Sequence, residues 1–452
     1  MGRSSGVYCV MTEARQPGTS PHAWTIVAVL TLAYILSFID RQILSLLVEP
    51  IRRDLGLSDF QMAWVGPPAF ATFFLLFGLV FGRLADRVRR TRLIALGVFI
   101  WCLMTTACAF ADSAVEMFIA RMGVGLGEAV LTPCALSMIS DLFTRDRVGK
   151  PIGLYSMGVS LGSSLAFILG GALFAWMTIG GHDPFAAVGV TAPWRETFLL
   201  VGLPGLLLVP VFLMMREPER RERIGGTPPS LGDTARFLGS RSRVFVPLFC
   251  GKAVFNFIAY AHFWIVPLFQ RSWGWDLKVT GTVWGLTLLG SGIVGVMLGG
   301  WLSDRWYRAG RKDAALRVVW GALLVTLPLH ALAPLMPTGE LALALFVPAL
   351  IALGAGSAAG STATMLVTPN EYRGQMTALS LLIASGLGQL LGPTSVAFLT
   401  QFVFRDPAAL GLSLSIAVLA FSLVAFAVLH WGLPHYRAAV AGLEAQVGSE
   451  RV

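Results

Sequence analysis

Twelve long apolar runs, each bounded by charged or turn-forming residues, constrain this chain more than any other feature. They lie near 24–48, 59–82, 92–110, 113–140, 150–178, 196–215, 244–270, 279–303, 313–336, 340–366, 373–402 and 408–433. A helix needs roughly 20 apolar residues to cross a bilayer, so each run is of the right order, and little chain is left for anything else. Of the 452 residues, 55% are hydrophobic and only 13% charged, against about 25% charged in an ordinary soluble domain. A water-soluble globule of this size could not cover itself with so few charges. That excludes a cytosolic enzyme, a nucleic-acid-binding module and a disordered tail. The expected fold class is an all-α membrane protein of twelve transmembrane helices, and the 49 glycines suit helices that approach closely.

The one long polar break, Arg216–Arg243, divides the spans six and six. The expected organisation is a tail (1–23), a six-helix bundle (24–215), a linker (216–243), a second six-helix bundle (244–433) and a second tail (434–452). If the N-terminus is cytoplasmic, the inside segments carry 25 of the 34 Lys and Arg and the outside loops six, with Arg41, Arg121 and Lys252 inside spans. Such a bias places both termini in the cytoplasm. The formal charge of +9 then belongs to the inner membrane face rather than to a nucleic-acid footprint. The first 20 residues lack an apolar core, so no cleavable signal peptide is expected. Cys9, Cys102, Cys108, Cys134 and Cys250 show no paired spacing; helix packing is expected of them, not a disulfide or zinc framework.

The halves repeat. Gly82-Arg-Leu-Ala-Asp86-Arg87 closes the second span and Gly300-Trp-Leu-Ser-Asp304-Arg305 the eighth. Arg147 precedes Gly162, and Arg373 precedes Gly388, by the same 15 residues. A parallel duplication is a common build for secondary transporters with a midplane site.

The run from Gly82 through Asp86, Arg87 and Arg90 resembles the signature loop of the major facilitator superfamily, although Arg89 stands where that pattern has a second glycine. Glycine lets two helices touch, the carboxylate can accept from a neighbouring helix N-terminus, and the arginines can pair across the halves as a latch. Gly82, Asp86, Arg87, Arg90, Asp304 and Arg305 are therefore the expected gating residues. Within 34–171, Tyr34-Ile-Leu-Ser-Phe-Ile-Asp40-Arg41, Val-Glu-Pro-Ile-Arg-Arg-Asp-Leu-Gly-Leu-Ser-Asp59 and Arg121-Met-Gly-Val-Gly-Leu-Gly127-Glu128 resemble the Spinster-like branch, including its bacterial members. That resemblance implies the major facilitator fold of two pseudo-symmetric bundles, and a substrate of the lysophospholipid or sphingoid-phosphate class. The fifth span lacks the proton-antiporter Gly-Pro pattern at Gly158–Ser163.

Five strongly ionisable residues lie within spans: Asp40, Arg41, Arg121, Glu128 and Lys252. Each costs about 2.5–3.5 kcal/mol at the bilayer centre, so each is a functional candidate. Asp40 and Arg121 are both eight residues from the outer end, about 12 Å deep, and are expected to pair. Glu128 lies two turns below Arg121, near the level of Tyr34. Arg121 suits an anionic phosphate or carboxylate, and Glu128 or Asp40 suits a proton. In the second half, Asn256 and Tyr260 share one helix face and can line the cavity. Lys252 is expected to snorkel, and His262 and His330 to pack.

A polar pocket facing an apolar wall fits an amphiphile. The expected activity is alternating-access, proton-linked transport of an anionic amphiphile; the rival is a proton-coupled carrier of a small organic anion or drug. Neither His-Glu-x-x-His nor a Walker loop occurs. No cofactor and no metal are expected. The expected partners are the lipid-like or organic-anion substrate, protons and the bilayer, with no nucleic acid. The chain is expected to act as a monomer in a bacterial inner membrane.

Overall fold

In lipid a backbone must satisfy its own hydrogen bonds, which leaves helices as the economical solution for apolar segments of this length. The computed structural model describes residues 21–144, 147–220, 230–369 and 371–449. The N-terminal tail with Arg3, Cys9 and Arg15, and Arg145, Arg221, Arg223 and Arg451, lie outside the described residues. Among the described residues, twelve helices are long and apolar enough to cross a membrane. The first six spans are Pro21–Leu46, Asp59–Gly78, Arg90–Cys108, Ala114–Leu142, Gly149–Thr178 and Pro193–Met214. The second six are Ser242–Trp273, Leu277–Arg308, Ala314–Leu335, Gly339–Leu366, Arg373–Phe404 and Pro407–Gly442. Local chemistry starts several of them. Ser113 accepts from the Glu116 amide at the head of span four (3.3 Å), and Asp276 from Lys278 at the head of span eight (2.8 Å). Ser58 and Gln61 form a reciprocal capping box ahead of span two.

Two spans are interrupted where proline removes an amide. Pro133 cannot donate to Ala129, and span four breaks between Glu128 and Leu131. Pro267 cannot donate to Phe263, and span seven passes through a 3-10 turn at His262–Trp264. The first break leaves Glu128 as the last residue of its helical segment.

Packing repeats between the halves. Span one lies on span five as span seven lies on span eleven, and span four packs on spans two and three as span ten packs on spans eight and nine. Across the halves, span five meets span eight and span two meets span eleven. This is an all-α membrane fold of two pseudo-symmetric six-helix bundles. As the twelve spans alternate in direction, the start of span one, the end of span six, the start of span seven and the end of span twelve share one end of the bundle, called the linker end below.

Helices in lipid gain little from burying apolar surface, so close approach of small residues holds them together. At the end away from the linker the fit between halves is tight. A Cβ on Gly281 would stand 2.5 Å from the Phe167 carbonyl oxygen, and one on Gly285 would stand 2.7 Å from that of Ser164. Toward the linker end, a Cβ on Gly82 or on Gly300 would meet nothing within 4 Å. The halves are therefore in close contact at one end, while nothing packs against the glycine at these two positions. Gly285→Val should lower the melting temperature in detergent, with a loss of about 1–3 kcal/mol as in other overpacked interiors. Gly300→Ala should leave it unchanged or slightly raised, since helix propensity improves and nothing is displaced. Equal melting points for the two variants would contradict this packing gradient.

Candidate functional site

The first half holds a buried ionic cluster on spans one and four. Glu128 Oε2 accepts 2.7 Å bonds from the Ser37 hydroxyl and from Arg41 Nε, with Arg41 Nη2 also at 2.7 Å. The Arg41 guanidinium lies over three rings, 4.7 Å from Phe38, 4.4 Å from Phe70 and 4.8 Å from Phe74. A carboxylate on one side and aromatic faces on the others satisfy this cation away from bulk water. Glycines bring the cluster together. Gly125 sits against the Phe70 carbonyl, Gly97 and Gly127 each face the other's main-chain oxygen, and Gly162 presses on Ile35 and Phe38. Below the cluster, Tyr34 stacks on Tyr155 at 4.4 Å. Tyr260 of the second half lies within electrostatic reach of both Arg41 and Tyr34. The cluster therefore faces the seam between halves.

The expected Asp40–Arg121 pair does not form. Arg121 Nη1 instead donates to the Asp40 main-chain carbonyl at 3.1 Å, and no ion pair joins the two side chains among the described residues. Helical rise set the depth, but rotation about the helix set the direction: the Asp40 carboxyl turns toward Cys102 and Thr105 of span three. Asp40 remains electrostatically coupled to Glu128 and Arg121, and its Oδ1 has no hydrogen-bond partner among the described residues. Arg41 is thus the paired arginine, about 100° around the helix from the residue that depth alone selects.

In the second half, Asn256 is half-buried and donates to the Lys252 carbonyl at 3.0 Å. Lys252 does not snorkel; its ammonium is buried and donates to Ser380 Oγ at 2.8 Å. His262 and His330 stack with their Nε2 atoms 3.1 Å apart, packed by Trp284 and Phe346.

The loop residues behave differently from an inter-half latch. Arg90, 1% exposed, donates to Ser137 (2.8 Å), Asp141, Glu217 (2.7 Å) and the Pro218 carbonyl (2.8 Å). All of these belong to its own half or to the start of the linker. Burial would raise the pKa of Glu217, but the Arg90 side chain and the Thr91 amide outweigh it and hold the carboxyl below its ordinary range. Arg220 donates to the carbonyls of Ala85 (2.9 Å), Asp86 and Val88 (2.5 Å), fastening the linker to the Asp86–Arg87 turn. Arg87 is exposed, and Arg305 lies 5.4 Å over Trp301, one turn back on its own helix. Asp304 is exposed. In this conformation Arg90 and Arg220 brace one half.

The ionic contact that does cross the halves was not singled out by motif. At the closed end, Arg271 of span seven donates from Nη1 and Nη2 to both oxygens of Asp59 (2.8 and 2.7 Å) and from Nε to Glu49 (2.7 Å). Such a planar fork on carboxylates is the strong geometry for arginine. Arg52 adds 3.2 Å to Glu49, and the Phe60 amide donates to Gln401 of span eleven at 2.9 Å. By sequence, Arg271 counted only as an outside loop charge; the signal was the lone basic residue ending span seven opposite a Glu–Asp stretch.

The pattern that defines the Major Facilitator Superfamily matches residues 30–393. An "MFS-type efflux pump" of Mycolicibacterium smegmatis is 29% identical over 418 residues, covering 90% of this chain and 92% of that protein. "Protein spinster" of Drosophila melanogaster is 25% identical over 397 residues, 84% of this chain and 62% of that one. Among solved structures, a bacterial homologue of the human lysosomal transporter Spinster, inward-facing and unoccupied, matches with a TM-score of 0.79 at 26% identity. It covers 94% of this chain and 98% of that one, so the Spinster likeness extends well beyond residues 34–171.

Removing the clamp has a defined cost. Arg271→Ala leaves Glu49 and Asp59 with only the more exposed Arg52 and Arg53 as cations, so the state closed at that end should lose stability, by less than the roughly 3–5 kcal/mol of a buried charge left wholly unpaired. Spin labels at Arg53 and Ser272 should report longer distances in Arg271→Ala. An unchanged distance distribution would mean that apolar packing alone holds this end shut.

Proposed function

Because the chain belongs to the major facilitator superfamily, whose members are membrane transporters, we propose that it is a secondary active, proton-linked transporter of an anionic amphiphile. The substrate class is a lysophospholipid or sphingoid-phosphate-like lipid. The linker end faces the cytoplasm of a bacterial inner membrane, both termini lie there, and one chain is a complete carrier. The observation that carries this reading is Arg41: a half-buried cation bonded to Glu128, walled by Phe38, Phe70 and Phe74, and within electrostatic reach of Tyr260 across the seam. An anion contact beside an aromatic wall matches a headgroup beside an acyl chain.

Coupling follows from competition. While ionised, Glu128 occupies Arg41; once protonated it releases the guanidinium to an incoming phosphate or carboxylate. The Asp40 carboxyl, coupled to Glu128 and in no ion pair among the described residues, accepts or returns that proton without breaking a pair. Proton and anion are thus taken up together, and the loaded site is electrically compensated. Alternating access then carries the pocket from one side to the other as the halves rock against each other.

The test uses lysophosphatidylglycerol, whose phosphodiester does not titrate near neutral pH, and hexanoate as a short carboxylate. If one proton accompanies each anion, binding to the parent protein weakens as pH rises, by up to about tenfold per pH unit. Glu128→Gln mimics the protonated carboxyl, so its binding should lose the pH dependence while its transport in proteoliposomes stops responding to a pH gradient. Asp40→Asn should keep the pH dependence of binding and slow the gradient-driven rate. A parental pH slope in Glu128→Gln would sink the coupling scheme, and competition by hexanoate but not by the lysolipid would move the assignment to small organic anions.

A further inference from the structure

The second half contains a buried cation that no acidic group balances among the described residues. Lys252 is 5% exposed, and its Nζ donates to Ser380 Oγ at 2.8 Å. The Ser380 hydroxyl hydrogen is itself committed to the Thr377 carbonyl (2.9 Å), so the serine supplies a neutral acceptor and no countercharge. Lys252 forms no ion pair among the described residues, and the two carboxylates within spans seven to twelve, Asp304 and Glu340, lie near the ends of spans eight and ten. Room for the side chain is built in: at Gly360 of span ten a Cβ would stand 3.2 Å from Lys252 Cγ. An ammonium has three hydrogens to donate, and an uncompensated charge is expensive in a bilayer interior.

Position gives the lysine a role. Lys252, Asn256 and Tyr260 recur every four residues, so they run down one helix face. Tyr260 is within electrostatic reach of Arg41 across the seam. Eight residues, about 12 Å of helical rise, separate it from Lys252 on the linker side. The polar stripe therefore begins at one cation and ends at another.

We propose that Lys252 is a second anion-binding residue of the transport pathway, receiving the substrate's anionic group on the linker side of Arg41. The carried anion is its counterion. Arg41 shares its site with Glu128 and yields the anion when that carboxyl ionises; Lys252, with no carboxylate competing for it, holds the anion at the next step. The proposal rests on the anionic-substrate reading above.

The measurement is binding of lysophosphatidylglycerol, hexanoate and uncharged monoacylglycerol to detergent-purified parent, Lys252→Met and Lys252→Arg. Losing a charge-assisted contact should weaken anion binding about tenfold or more in Lys252→Met. Lys252→Arg should stay within about threefold of the parent, and monoacylglycerol should bind all three alike. Removing an unbalanced buried charge should leave the ligand-free melting temperature of Lys252→Met equal to the parent's or above it. If methionine prevents a monodisperse preparation, Lys252→Gln serves the same comparison. Undiminished anion binding in Lys252→Met overturns this proposal and leaves the anionic-substrate reading intact. A parent that binds neither lysophosphatidylglycerol nor hexanoate overturns both.

Discussion

An ion inside a bilayer must be solvated by protein, and the first half is organised around meeting that demand. Arg41 is the focal case. Its charge is shared among Glu128, which Ser37 also steadies, and three phenylalanine faces. Each of these partners needs the backbone to come close. The glycines at 97, 125 and 127 hold spans two and three against span four, Gly162 lets span five press on span one, and the Pro133 break ends the helix at Glu128. Replace the ion pair with apolar residues and most of these approaches lose their purpose.

The seam between halves is built from different materials at its two ends. Away from the linker, Arg271 grips Glu49 and Asp59 while small residues bring spans five and eight into backbone contact. Electrostatic and steric complementarity reinforce each other there. Toward the linker, Gly82 and Gly300 face open space, and the arginines that could span the gap serve other partners. Asp313, at the head of span nine, is similarly engaged by Arg317 (2.8 Å) and by Arg437 of the last helix. Burial would raise its pKa, but these two cations keep it lowered. Both halves thus arrive at the linker end internally braced, as bodies that can move whole.

How much of this was legible beforehand follows from what one-dimensional spacing encodes. Run length and charge placement locate membrane helices because the bilayer acts on each segment separately. All twelve spans were accessible in this way, as was the cluster of four intramembrane charges. Pairing was another matter. Depth follows from rise per residue, yet which side chains meet depends on rotation, and Asp40 and Arg41 differ by about 100° in that coordinate. The Arg271 clamp was hidden because its partners come from a different half, and a loop charge carries no mark of what faces it. Lys252 was misplaced because snorkelling is the usual refuge for a lysine near a helix end; the space left by Gly360 on another helix decided otherwise.

The ionic cluster, finally, lies entirely within one of the two bodies. Arg41, Glu128, Ser37 and their aromatic walls belong to the first bundle, while the second contributes only Tyr260, Asn256 and Lys252 along one edge. A rigid rocking of one bundle against the other leaves every distance inside the cluster unchanged. On the proposed coupling, proton binding then does not have to be performed as mechanical work on the moving parts: it would act as a permission, settled locally and reversibly, which the edge of the second bundle reads.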